Sequence, residues 1–184
     1  MENILDVYSK DGSWGVHVTP PESAWRSIFS GNDPIAWPFR QEFEYCRLFY
    51  PTDGCHLTAQ QYLALTNAVQ GIGEDGFFLS IVESQGQSFL NRSWGHWSCD
   101  LPSHEEYSEL CLTLENALYS RNGHWGVLVS HEMHALVGGT RTFMTELGKH
   151  YRRWADDLRL LREYWSGNPN AVWLEAIIDR VAHQ

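Results

Sequence analysis

The chain is short of positive charge: 13 lysines and arginines stand against 23 aspartates and glutamates, a formal net charge of −10 over 184 residues. A surface this acidic repels phosphate, so nucleic acid is excluded as an expected partner. No apolar run approaches the roughly 20 residues that a membrane helix needs. The opening MENILDVYSKDG lacks the basic start and apolar core of a secretion signal. Cys46, Cys55, Cys99 and Cys111 show no CxxC spacing. Reduced thiols in a cytoplasmic protein are the simplest account, with two disulfides as the alternative for an exported one. GxSxG, GxxxxGK[ST] and HExxH are all missing, so serine hydrolases, P-loop proteins and zinc proteases lose their usual signatures.

What is present favours one globular domain over residues 1–184, with 43% hydrophobic and 14% aromatic content to fill its core. Nine tryptophans exceed the ordinary need of such a core; either some of them line a groove or contact surface or all are internal. The charge is uneven, since residues 1–120 hold 5 basic and 16 acidic side chains and residues 121–184 hold 8 and 7. That imbalance suits a basic protein partner, or serves solubility alone.

Hydrophobic periodicity and turn chemistry predict three hairpins. The first covers residues 4–18 about Asp11-Gly12, a pair suited to a type I′ turn. The second sets Phe77–Glu83 against Gln87–Trp94 across residues 84–86, and the third sets Trp125–Ser130 against Ala135–Gly139. Helices are expected between them. One is capped by Thr19, Pro20 and Glu22, runs through Trp25, Ile28 and Phe29, and ends near Gly31. Another covers about residues 39–49. A third is capped by Thr58 with Gln61, carries the stripe Tyr62, Leu65, Ala68, Val69, and is stopped by GIGEDG at 71–76. A fourth is capped by Ser103 with Glu106, buries Tyr107, Leu110, Cys111, Leu114 and Leu118, and is closed by Gly123. Helix resumes at Thr140, with Gly148 as its candidate break. Over 151–165 a stripe of Tyr151, Trp154, Leu158, Leu161, Tyr164 and Trp165 lies opposite the pairs Arg152/Asp156, Arg153/Asp157 and Arg159/Glu163, which read as a solvated face. A last helix opens at Asn168-Pro169 with Val172, Trp173, Ala176, Ile177 and Val181 inward. The fold class is therefore α+β, a mainly antiparallel sheet built from hairpins and covered by several helices.

Three places could carry chemistry. His131-Glu132-Met133-His134 is one residue short of HExxH. On a strand Glu132 and His134 would share a face while His131 points away, so the cluster is either a metal site of His131, Glu132 and His134, serving a small metal-dependent hydrolase, or the polar corner of a hairpin. Gly138-Gly139-Thr140 between strand and helix could receive an anion, or merely form a tight turn. The loop Trp94-Gly95-His96-Trp97, with Asp100 behind it, mixes aromatic and polar groups as contact hot spots do. The expected contact residues are Trp94, His96, Trp97, Asp100, Glu132 and His134. Adjacent carboxylates such as Glu105/Glu106 and Asp156/Asp157 diverge on a helix and do not form a shared acid/base pair. No catalytic residue and no cofactor is assigned.

The stretch WGVLVSHEMHALVGGTRTF at 125–143 resembles a pattern of small bacterial proteins: W-G, a strand, a glutamate-histidine corner, an ALVGG-like strand, then a helix opening with phenylalanine. Acidic single-domain proteins of this look are similar to immunity proteins of polymorphic and contact-dependent toxin systems. The resemblance covers about 30 residues and transfers no binding residue. It implies a stoichiometric inhibitor that masks the active site of a cognate toxin domain, a basic one if charge complementarity holds.

Overall fold

The computed structural model describes residues 15–19, 21–43, 45–83, 88–110, 112–169 and 171–182. Among them run seven strands, β1 (Gly15–His17), β2 (Tyr45–Phe49), β3 (Phe77–Ile81), β4 (His96–Cys99), β5 (Asn116–Ser120), β6 (Trp125–Val129) and β7 (Ala135–Gly139). Six helices accompany them: α1 (Glu22–Ile28), α2 (Ala59–Gly71), α3 (His104–Ser108), α4 (Arg141–His150), α5 (Trp154–Trp165) and α6 (Val172–Ala182). The strands form one sheet in the order β1-β4-β3-β5-β6-β7-β2, every neighbouring pair antiparallel. The expected α+β architecture is what the chain adopts.

Helices cover both faces of this sheet, and the alternation of side chains along each strand fills two cores. Trp125, Val127 and Val129 of β6 pack with Tyr62, Leu65 and Val69 of α2, Tyr107 of α3 and Phe143 and Leu147 of α4. Leu128 of the same strand faces the other way, toward Trp25 and Ile28 of α1, Leu161 of α5 and Ile177 and Ile178 of α6. Strands buried on both faces read as continuous apolar runs, which is why ALVGG and WGVLV show no polar alternation. Gly126 lets α1 approach closely: a Cβ there would lie 2.4 Å from Phe29 Cζ and 2.8 Å from Ile28 Cγ2.

Several local expectations hold. Thr58 and Gln61 form the reciprocal capping box of α2, and Ser103 and Glu106 that of α3. Thr140 caps α4 by accepting from Phe143 N–H, and the β6–β7 hairpin has the expected span.

Others fail. Residues 45–49 are the edge strand β2, not helix: Tyr45, Arg47 and Phe49 share one face, Cys46 and Leu48 the other, and pairing with β7 decides the outcome. Residues 116–120 are the central strand β5 rather than the end of a helix, so Leu118 is a strand residue and α3 is only 5 residues long. Gly123 does take a positive φ of 80°, but in the β5–β6 turn and not behind a helix. The neighbours of β3 are β4 at 96–99 and β5; residues 89–91 form a 3₁₀ turn where the second hairpin strand was expected. Helix α1 begins behind Pro21 with no side-chain cap, so the Thr19 box does not form. Helix α4 passes through Gly148 to His150, and Tyr151 caps it. Ala176 of α6 is exposed; Leu174 and Ile178 are buried in its place. Tyr164, expected inward, is 60% exposed. The Asp11-Gly12 turn, Pro20, the 84–86 turn and Cys111 lie outside the described residues.

Candidate functional site

The β6–β7 hairpin and the two ends of the sheet hold the polar groups of interest. At one end, residues 131–133 form the hairpin turn, with Ser130 N–H donating to His134 O at 2.9 Å and Glu132 N–H to Ser130 Oγ at 3.1 Å. Met133 takes the left-handed φ of 57° that closes the turn. Because these residues are turn and not strand, the expected sharing of a face by Glu132 and His134 does not occur. His134 is fully buried: its Nε2 donates to Pro34 O at 3.1 Å, and its ring stacks on Trp173 with centroids 5.1 Å apart. Burial pushes its pKa down.

His131 instead turns to the neighbouring strand. Its Nδ1 lies 2.8 Å from Glu115 Oε1, and its Nε2 lies 3.5 Å from Glu132 Oε1. Glu115, immediately before β5, is largely buried and also accepts from Ser130 Oγ at 3.3 Å. Burial raises the Glu115 pKa, and Glu83 adds to the rise while His131 and Ser130 oppose it. Burial, with Glu115 and Glu83 adding to it, pushes the nearby Cys55 thiol up to about 11, which favours the protonated thiol near neutral pH. The loop after β2 joins this end, since Thr52 N–H donates to Met133 O at 2.9 Å; exposed Asp53 lies on it. His131, Glu132 and His134 thus do not converge, and among the described residues no three His, Cys, Asp or Glu side chains gather as ligands of a metal would.

The expected recognition loop is mostly interior. His96 and Trp97 belong to β4 and are buried, because β4 lies between β1 and β3 with helices on the sheet's faces. Ser80 Oγ sits 2.8 Å from His96 Nδ1 and 2.8 Å from Tyr119 OH, a hydrogen-bonded chain closed off from solvent. With His134 they leave the set of surface contacts; Trp94, Asp100 and Glu132 remain. Trp94 is half-buried under Arg92, whose guanidinium carbon is 4.4 Å from the ring centroid. Asp100 is exposed but held by Arg121 Nη2 at 2.5 Å, at the opposite end of the sheet from Trp94 and Glu132.

Comparison with protein-family models, curated proteins and solved structures finds no match for this chain. The assignment of roles therefore rests on geometry.

Two further buried carboxylates were not singled out from the sequence. Glu74, between α2 and β3, is 7% exposed and accepts four side-chain donors: Ser120 Oγ at 2.8 Å, His124 Nδ1 at 2.7 Å, Asn122 Nδ2 at 3.5 Å and Trp125 Nε1 at 3.0 Å. Asp157, expected on the solvated face of α5, is buried; its Oδ2 accepts from Tyr151 OH at 2.5 Å and Tyr50 N–H at 3.2 Å. Burial raises its pKa. Both tie elements together: Glu74 joins the α2–β3 link to β5, the turn after it and β6, and Asp157 joins α5 to the residue after β2. Finally, Gly71–Gly76 spells G-x-G-x-x-G, yet it leads from helix α2 into strand β3, the reverse of the strand-to-helix order that aims backbone amides at a phosphate.

Proposed function

We propose that this chain is a non-enzymatic protein-binding domain that neutralises a basic partner, in the manner of an immunity protein masking a cognate bacterial toxin domain. The observation that carries the reading is the surplus of carboxylates over residues 1–120, of which Glu83 and Glu115 lie beside the hairpin turn, where Glu132 of the turn itself adds a further negative charge. Complementary charge accelerates association and fixes orientation. The interior adds support: the buried Ser80, His96, Tyr119, Glu74 and Asp157 are committed to internal hydrogen bonds, which leaves the surface, not the core, as the place for recognition.

The test is direct binding. The purified chain is titrated by calorimetry with the products of genes adjacent to its own, and saturable 1:1 binding to a basic product that loses its toxic activity is the expected result. A protein that binds none of them, yet turns over a small substrate, would falsify the reading.

A further inference from the structure

The exposed turn between β6 and β7 presents a histidine in an arrangement that goes beyond partner binding. His131 has Nδ1 fixed at 2.8 Å by Glu115 Oε1, and Glu115 is itself mostly buried and held by Ser130 Oγ. The imidazole is 63% exposed and its Nε2 points out of the core toward Glu132 Oε1, 3.5 Å away. That separation is long for a strong hydrogen bond, which falls at roughly 2.7–3.2 Å. It matches two neighbouring ligands of one tetrahedral ion, which at about 2.0–2.1 Å per bond stand about 3.4 Å apart. A carboxylate that accepts the other ring N–H of a metal-ligating histidine is the usual outer support of such a ligand, because it fixes the tautomer and raises the basicity of the coordinating nitrogen.

We propose that His131 Nε2 and Glu132 Oε1 form an open half-site for a borderline divalent cation such as Zn²⁺ or Co²⁺, with Glu115 as its orienting carboxylate. Two protein ligands leave two positions of a tetrahedral ion for water or for a donor from a bound partner. Glu83, whose carboxylate lies 3.4 Å from Glu115 N, adds negative charge beside the site. A second histidine–glutamate pair serves as an internal comparison: His150 Nε2 is also 3.5 Å from Glu146 Oε1. There, Lys149 holds the other carboxylate oxygen, Oε2, of Glu146 and sets a positive charge beside the pair, so that pair is expected to bind no ion.

The experiment is titration of untagged full-length protein with Zn²⁺ by calorimetry and with Co²⁺ by visible absorption. Stoichiometric, saturable binding is expected, lost in His131→Asn and unchanged in His150→Gln. Glu115→Gln, which keeps both ligands, is expected to weaken binding by about 10–100-fold. Circular dichroism and the melting temperature of each variant distinguish a lost site from a lost fold, and Glu132→Gln, at a half-exposed turn position, gives an independent removal of one ligand. Absence of saturable binding, or binding that persists in the folded His131→Asn variant, overturns the proposal. The partner titration, repeated with metal chelated, separates failure of this site from failure of partner binding.

Discussion

At the scale of single residues, the buried carboxylates and histidines set the terms. Glu74 gathers four donors from β5, its following turn and β6, so removing its charge without changing its size leaves an amide facing donors. Hydrogen bonds to a charged group are worth about 1.5–3 kcal/mol each and their loss is not additive, so Glu74→Gln is expected to cost about 2–4 kcal/mol, read as a drop in the urea midpoint at unchanged slope. His134 gives a pH signature. Burial lowers its pKa, so the unfolded chain takes up a proton first, at about pH 6.5. Stability from this group is intact above that value and is lost as the pH falls through it toward the lower folded pKa. Urea midpoints of wild type and His134→Gln, measured on either side of about pH 6.5, should show an acid loss in wild type that the variant lacks; parallel profiles would exclude it.

At the scale of elements, two features are open to test. Capping of α2 is local and legible, so Thr58→Ala should cost about 1 kcal/mol, the usual loss of a Thr cap, with Thr58→Asn close to neutral by thermal melting. The contact of α1 with β6 depends on the missing side chain at Gly126. Gly126→Ala forces Phe29 and Ile28 away and should destabilise by about 1–3 kcal/mol, the range for overpacking, whereas Gly148→Ala, with open space about its Cβ on helix α4, should be neutral or mildly stabilising. These elements also show what a sequence can and cannot display. The two capping boxes and the β6–β7 hairpin were readable because their information lies within about four residues. The strands β2 and β5 were not: Asn116–Ser120 is buried throughout and such a run has no periodicity to separate strand from helix, while β2 is set by pairing with β7, which is distant in sequence. Asp157 deceived for a related reason: its i,i+4 spacing from Arg153 fits a solvated pair, and only the packing of α5 against β2 brings Tyr50 N–H to it.

At the scale of the whole molecule, charge and enclosure govern behaviour. Association with a basic partner should slow as ionic strength rises, because exposed charges are screened beyond about 8–10 Å at physiological salt. The double variant Glu83→Lys, Glu132→Lys should reduce the association rate by at least tenfold with little change in melting temperature, measured by stopped-flow fluorescence; a rate independent of both salt and these charges would remove the electrostatic argument. The sequence alone determined the charge imbalance, the α+β class, the caps of α2 and α3 and the hairpin that carries His131 and Glu132, all properties of composition or of neighbours along the chain. The tertiary structure decided which polar groups face water: it buried His96, Trp97 and His134, paired His131 with Glu115 across strands, and enclosed Glu74 and Asp157. Those outcomes depend on strand order and on helices covering both faces of the sheet, contacts between residues distant in sequence that no local pattern specifies.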